Sequence, residues 1–138
     1  MVFFFDANLS VYIARMLAQF DRQSVIRHLC DDRAFRRDDE DVVIIEKLSQ
    51  EDPKPVFITS DSNIGRKPVE RHALRNSGLT CVFFRKSFAG LNFQTQAWKI
   101  VKLWPQIVEE TGNCHQPTAF EVFSKANNVE FFSLTKDL

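Results

Sequence analysis

The chain has 138 residues, 44% of them hydrophobic and 26% charged, which excludes the polar, highly charged regime of disorder and suffices for one self-supporting core. Lys plus Arg and Asp plus Glu stand at 18 each, so bulk charge selects no partner and only its local placement is informative. Three cysteines, Cys30, Cys81 and Cys114, form no C-x-x-C pair, which argues against a disulfide framework or zinc ribbon and fits reduced thiols in a cytoplasm.

The opening run Val-Phe-Phe-Phe, residues 2–5, has the pattern of a strand covered on both faces. It is too short for a membrane span or a signal peptide, so no membrane association is expected. Asp6 stands just past its end. Leu9, Ile13, Met16, Leu17 and Phe20 then recur at helical spacing, predicting a helix that buries this face, with Asn8 or Ser10 as its cap.

A short second strand is expected at residues 24–29. Residues 31–41, DDRAFRRDDED, are too charged for a core and read as a loop into a helix bearing Val42, Ile44, Ile45 and Leu48. Asp-Pro-Lys-Pro at residues 52–55 stops that helix. VFIT at residues 56–59 repeats the opening pattern and ends in Ser60 and Asp61. Pro68 suits a first helical turn and Gly78 the position past a helix end, predicting a helix over residues 68–77.

LTCVFF at residues 79–84 reads as the next buried strand. A long helix follows, with Ala97, Ile100, Val101, Trp104, Ile107 and Val108 on one face, an expected kink at Pro105, and an end at Gly112. Two apolar segments about Asn127 and Asn128 predict a β-hairpin within residues 120–134. Alternation of strands and helices predicts a single α/β domain over residues 1–138, with a mostly parallel sheet covered on both faces.

In such sheets ligands bind beyond the carboxyl ends of the strands, where Asp6 and Asp61 fall. Neighbouring carboxylates stay ionised only when a cation or strong donors offset their repulsion, and hard oxygen ligands suit Mg²⁺ or Mn²⁺. A single aspartate after a strand is more often a turn or cap residue than a metal ligand. Two in equivalent places, each followed two residues later by an asparagine (Asn8 and Asn63), favour a site. A third acid is expected from Asp38, Asp39, Glu40 or Asp41, with Asp41 preferred because it falls in the first turn ahead of the apolar stripe. Arg66, Lys67, Arg71, His72 and Arg75 place local positive charge near Asp61, as a phosphodiester substrate requires, although a solvated helix surface has the same composition. His28, His72 and His115 are not at metal-ligand spacing.

The segments FFFDANLS, DEDVVIIEKL and VFITSDSNIGRKPVERHALRNSGLTCVFF together resemble the PIN-like domains, including the VapC-type ribonucleases of bacterial toxin-antitoxin systems, over about residues 2–110. The resemblance implies a three-layer α/β/α fold, Mg²⁺- or Mn²⁺-dependent cleavage of single-stranded RNA, a cognate antitoxin protein as partner, and a homodimer. It matches Asp6, Asp41 and Asp61 to catalytic, metal-holding acids and Asn8 and Asn63 to supporting polar positions, with Ser60 beside Asp61 expected to support them; Arg66, Lys67, Arg71 and Arg75 are the expected substrate contacts by their local charge. Typical members show four acids, and Asn63 stands near where a further one is expected.

A PIN-like module that binds RNA or a protein without catalysis is the alternative. A haloacid-dehalogenase-like phosphatase also opens on a strand and an aspartate, but its second acid two residues later would be Asn8, which cannot donate a proton as a general acid.

Overall fold

A computed structural model of the chain describes residues 1–61, 67–125 and 128–133. The strands are β1 (Val2–Phe5), β2 (Val25–His28), β3 (Val56–Thr59), β4 (Cys81–Phe84), β5 (Ala119–Lys125) and β6 (Asn128–Ser133). They form one sheet in the order β2-β1-β3-β4-β5-β6, parallel throughout except for the antiparallel β5–β6 pair. The expected hairpin is therefore part of the main sheet, because β5 pairs with β4 from Cys81↔Ala119 to Phe84↔Val122. Its turn at residues 126–127 lies outside the described residues.

The helices are α1 (Val11–Phe20), α2 (Asp41–Ser49), α3 (Pro68–Ser77), α4 (Lys86–Ala89) and α5 (Phe93–Gly112). Strand side chains alternate between two cores. Phe3, Phe5, Ile58, Val82, Phe84 and Val122 pack with Ile13 and Leu17 of α1 and with Ile100, Trp104 and Ile107 of α5. Phe4, Phe57, Cys81 and Phe83 pack on the other face with Ile44, Ile45 and Leu48 of α2 and Leu74 of α3. This is the expected three-layer α/β/α arrangement, and double-sided burial explains why the strands read as unbroken apolar runs.

Local sequence explains the boundaries. The Ser10 hydroxyl caps α1 by accepting from Tyr12 N at 3.2 Å. Pro68 begins α3, and Gly78 ends it with φ of 72°, a left-handed conformation that costs glycine little. Two expectations are corrected, and one element is new. Phe20 is 55% exposed rather than core, because it ends α1 beyond the sheet-facing stripe. The fourth strand begins at Cys81, two residues later than the apolar run suggests. Helix α4 was not foreseen, as four residues are too few to show a period.

Candidate functional site

The chain runs from β1 to β2 on one side and returns to β3 on the other side of β1, so the β1–β3 boundary is the switch point of the sheet. Open α/β sheets leave a crevice there, outside the carboxyl ends of the strands. Asp6 and Asp61 follow these two strands. The Asp6 backbone continues the β1–β3 ladder, donating from its N–H to Ile58 O at 2.9 Å.

A polar clamp joins the two strand ends. Asn8 Oδ1 accepts from Ser60 N at 3.1 Å, and Ser60 Oγ donates to Asn8 O at 3.0 Å. Thr59 Oγ1 lies 3.1 Å from Asp6 Oδ2 and 3.3 Å from Asn8 Oδ1, with its hydroxyl proton directed at these oxygens, and it accepts from Asp61 N at 3.1 Å. Asn8 and Ser60 thus bind β1 to β3, while Thr59, which sequence reasoning did not single out, touches both aspartates. His28 lies behind them: its Nδ1 accepts from Cys30 N at 3.0 Å, leaving Nε2 as donor to Leu9 O at 2.6 Å. A ring held at both nitrogens is a fixed strut.

Four carboxylates share one electrostatic environment. Burial holds the Asp6 carboxyl above its ordinary range and the Asp61 charge adds to this, opposed by the hydrogen bonds from Ala7 N and Thr59 and by His28. Asp41, in the first turn of α2, is pushed up to about 6 by burial and by the charges of Asp6, Asp61 and Glu70, with Lys67 opposing. Asp39 is otherwise engaged: its Oδ2 accepts from Arg36 N at 2.8 Å and lies 3.6 Å from Lys47. Asp38 faces Arg36 on the surface, and Glu40 precedes α2 without a side-chain capping bond.

Glu70 is the residue the sequence reading overlooked. It sits in the first turn of α3 and is 8% exposed. Its Oε2 is buried without a hydrogen-bond partner among the described residues, and Lys67 is 3.9 Å from its Oε1. A signal existed, since Leu74 and Ser77 mark the inward face of α3 and Glu70 lies one turn before Leu74 on that stripe. Among the described residues, no three His, Cys, Asp or Glu side chains are already drawn together as a metal cage. The group is a loose set of hard oxygen donors, and the orphaned Glu70 oxygen and the raised Asp41 carboxyl are what such donors show when their charges are only partly offset.

Lys67, Arg71 and Arg75 are all exposed and lie four residues apart, on one outward stripe beginning at the N-terminal end of α3. Asn63 and Arg66 fall outside the described residues.

A mostly parallel α/β/α sheet with acids at its switch point defines a domain built around an acidic centre. Residues 1–86 match the family model described as a PIN like domain, more than half of the chain, and the chain belongs to that family. The match takes in Asp6, Asp41, Asp61 and Glu70 and ends at the start of α4. No curated protein and no solved structure matches the chain. PIN-like domains are generally nucleases and commonly use divalent metal ions. No helix among the described residues is long and apolar enough to cross a membrane.

Proposed function

We propose that this PIN-like domain is a metal-dependent endoribonuclease that cuts single-stranded RNA, and that it is the toxin of a toxin-antitoxin pair restrained by a cognate antitoxin protein. The observation that carries the reading is the convergence of Asp6, Asp41, Asp61 and Glu70, two of them from strand ends and two from helix first turns, into one mutually repelling group. Repulsion of this kind costs stability and persists where function requires it.

In this reading Asp6, Asp41, Asp61 and Glu70 hold Mg²⁺ or Mn²⁺. Such an ion, when bound, supplies a water of lowered pKa and offsets charge on the scissile phosphate. Thr59, Asn8 and Ser60 fix the aspartates of β1 and β3 relative to one another. Lys67, Arg71 and Arg75 contact the RNA backbone, with Arg66 assigned to the same role by its position in the sequence. Glu70 supplies the fourth acid that appeared to be missing, which favours the enzyme over a binding module without catalysis. The Asn8 amide, committed to the strand clamp, gives no support to a dehalogenase-like general acid.

The test is cleavage of single-stranded RNA by the purified chain in Mn²⁺. Wild type should cut and stop on chelation, and Asp6→Asn should lose cleavage while keeping its circular dichroism. Equal cleavage by the two proteins would overturn the reading.

A further inference from the structure

Helices α1 and α5 both run from the carboxyl to the amino edge of the sheet, because each connects parallel strands, β1 to β2 and β4 to β5. Their carboxyl ends meet beside Met1. A Cβ on Gly112 would lie 3.2 Å from Met1 Sδ, and Val25 N, just past α1, donates to Met1 O at 2.9 Å. Strands β1 and β3 are four residues long, so this edge lies about 13 Å from the carboxylate centre. Helix α5 also lies beyond the matched family segment.

A helix carboxyl end carries partial negative charge and favours Lys or Arg beside it. Neither α1 nor α5 has a basic residue in its last turn; instead Asp21 is the C-cap of α1, and Glu109 and Glu110 lie in the last turn of α5. Burial opposes ionisation of Asp21, but hydrogen bonds from Ser24, Trp104 and Gln23 outweigh it and hold the carboxyl below its ordinary range. Between the two helix ends lies a shallow depression of about 350 Å³, lined by Phe20, Trp104, Pro105 and Val108 with Asp21 and Glu109. Phe20 stands exposed at its rim, and Trp104 Nε1 already donates to Asp21 Oδ2 at 3.0 Å. The lining therefore offers apolar surface and acceptor oxygens, with no cation among its described residues. Arg22, next to Asp21, turns instead to Gln19, donating from Nη1 to Oε1 at 3.4 Å.

We propose that this depression at the amino edge is a docking site for a protein partner that presents a large apolar side chain flanked by Lys or Arg. The apolar anchor covers Phe20, Pro105 and Val108, and the cations meet Asp21, Glu109 and the two helix carboxyl ends. Acids at both helix ends break a local rule of helix stability, and such breaks fall where function requires them. RNA is not the occupant, because a polyanion would face the same acids. A second copy in two-fold contact would set these acids against themselves. The surface is remote from Asp6, Asp41, Asp61 and Glu70, and the proposal does not rest on the ribonuclease reading.

The test is nuclear magnetic resonance of the isotope-labelled chain, followed at the Trp104 indole N–H, with two synthetic amphipathic peptides as probes. One is built of Leu, Phe and Arg, and the other carries Glu in place of each Arg. The basic peptide should shift the Trp104 resonance saturably, and the acidic one should leave it in place. The reporter is local, so adsorption of the basic peptide at the carboxylate centre does not register. Phe20→Ala should weaken binding of the basic peptide about tenfold, and Glu109→Lys should transfer the preference to the acidic one. Both positions are exposed, and thermal melting checks that the variants keep the fold. Equal shifts from both peptides, no shift from either, or an unaltered affinity in Phe20→Ala would overturn the proposal. Sedimentation of wild type as a dimer that Phe20→Ala disperses would assign the surface to a second copy and overturn it too. Neither substituted residue belongs to the carboxylate centre, so failure here leaves the ribonuclease reading untouched.

Discussion

Thr59 Oγ1 lies 3.1 Å from Asp6 Oδ2 and accepts the Asp61 backbone N–H at the same distance, so one buried hydroxyl links two aspartates more than fifty residues apart in the chain. Its donor and acceptor capacities both serve the site. Thr59→Val keeps the volume and leaves Asp6 and Asp61 N without this partner. Urea unfolding should show a loss of about 1–3 kcal/mol, and Mn²⁺ affinity should fall. Thr59→Ser should retain most of both.

Asp41 gives the protein a pH dependence of defined sign. Its folded pKa of about 6 lies above the ordinary 3.8, so its contribution to stability is fully present below that ordinary value and is lost as pH rises through about 6. In EDTA, the melting temperature should therefore fall between pH 4 and 7 by more in wild type than in Asp41→Asn, whose side chain does not ionise. Saturating Mn²⁺ should remove the difference in wild type by favouring the ionised carboxylate. Parallel pH profiles for the two proteins in EDTA would contradict this account of Asp41.

Glu70 should show opposite effects on the empty and loaded protein. Its buried Oε2 has no hydrogen-bond partner among the described residues, and Glu70→Gln removes a charge that Asp41 feels. Melting in EDTA should rise, whereas Mn²⁺ affinity should drop about tenfold or more. A fall in both would make Glu70 a purely structural residue.

The outward stripe of α3 should set the salt dependence of RNA binding. Each phosphate contact to a single strand contributes about 0.7 to the slope of log affinity against log salt. Arg71→Ala combined with Arg75→Ala should lower that slope by about 1.4 and leave Mn²⁺ binding intact. An unchanged slope would remove α3 from the RNA interface.

Much of this arrangement is legible in the sequence because burial on both faces writes strands as unbroken apolar runs. FFF before Asp6 and VFIT before Ser60 and Asp61 announce both the strands and the residues at their ends, and Pro68 with Gly78 brackets α3. Strand order is not legible, since pairing β1 between β2 and β3 is a long-range choice that no local pattern records. Glu70 escaped because, within a helix of many charges, composition suggests a solvated surface, and only the phase set by Leu74 and Ser77 turns it inward. Thr59 escaped because a buried hydroxyl at a strand end looks like any β-favouring residue until its partners are known. The apolar segments near residues 120–134 were visible as a hairpin, but their docking against β4 depends on the edge that β4 leaves open.

The most direct measurement is calorimetric titration of Mn²⁺ into the purified chain at neutral pH, with wild type beside Asp6→Asn and Glu70→Gln. Wild type should bind the ion at one saturable site, Asp6→Asn should show no resolved binding, and Glu70→Gln should bind more weakly. Equal heats and affinities in all three proteins would show that these carboxylates do not capture a cation.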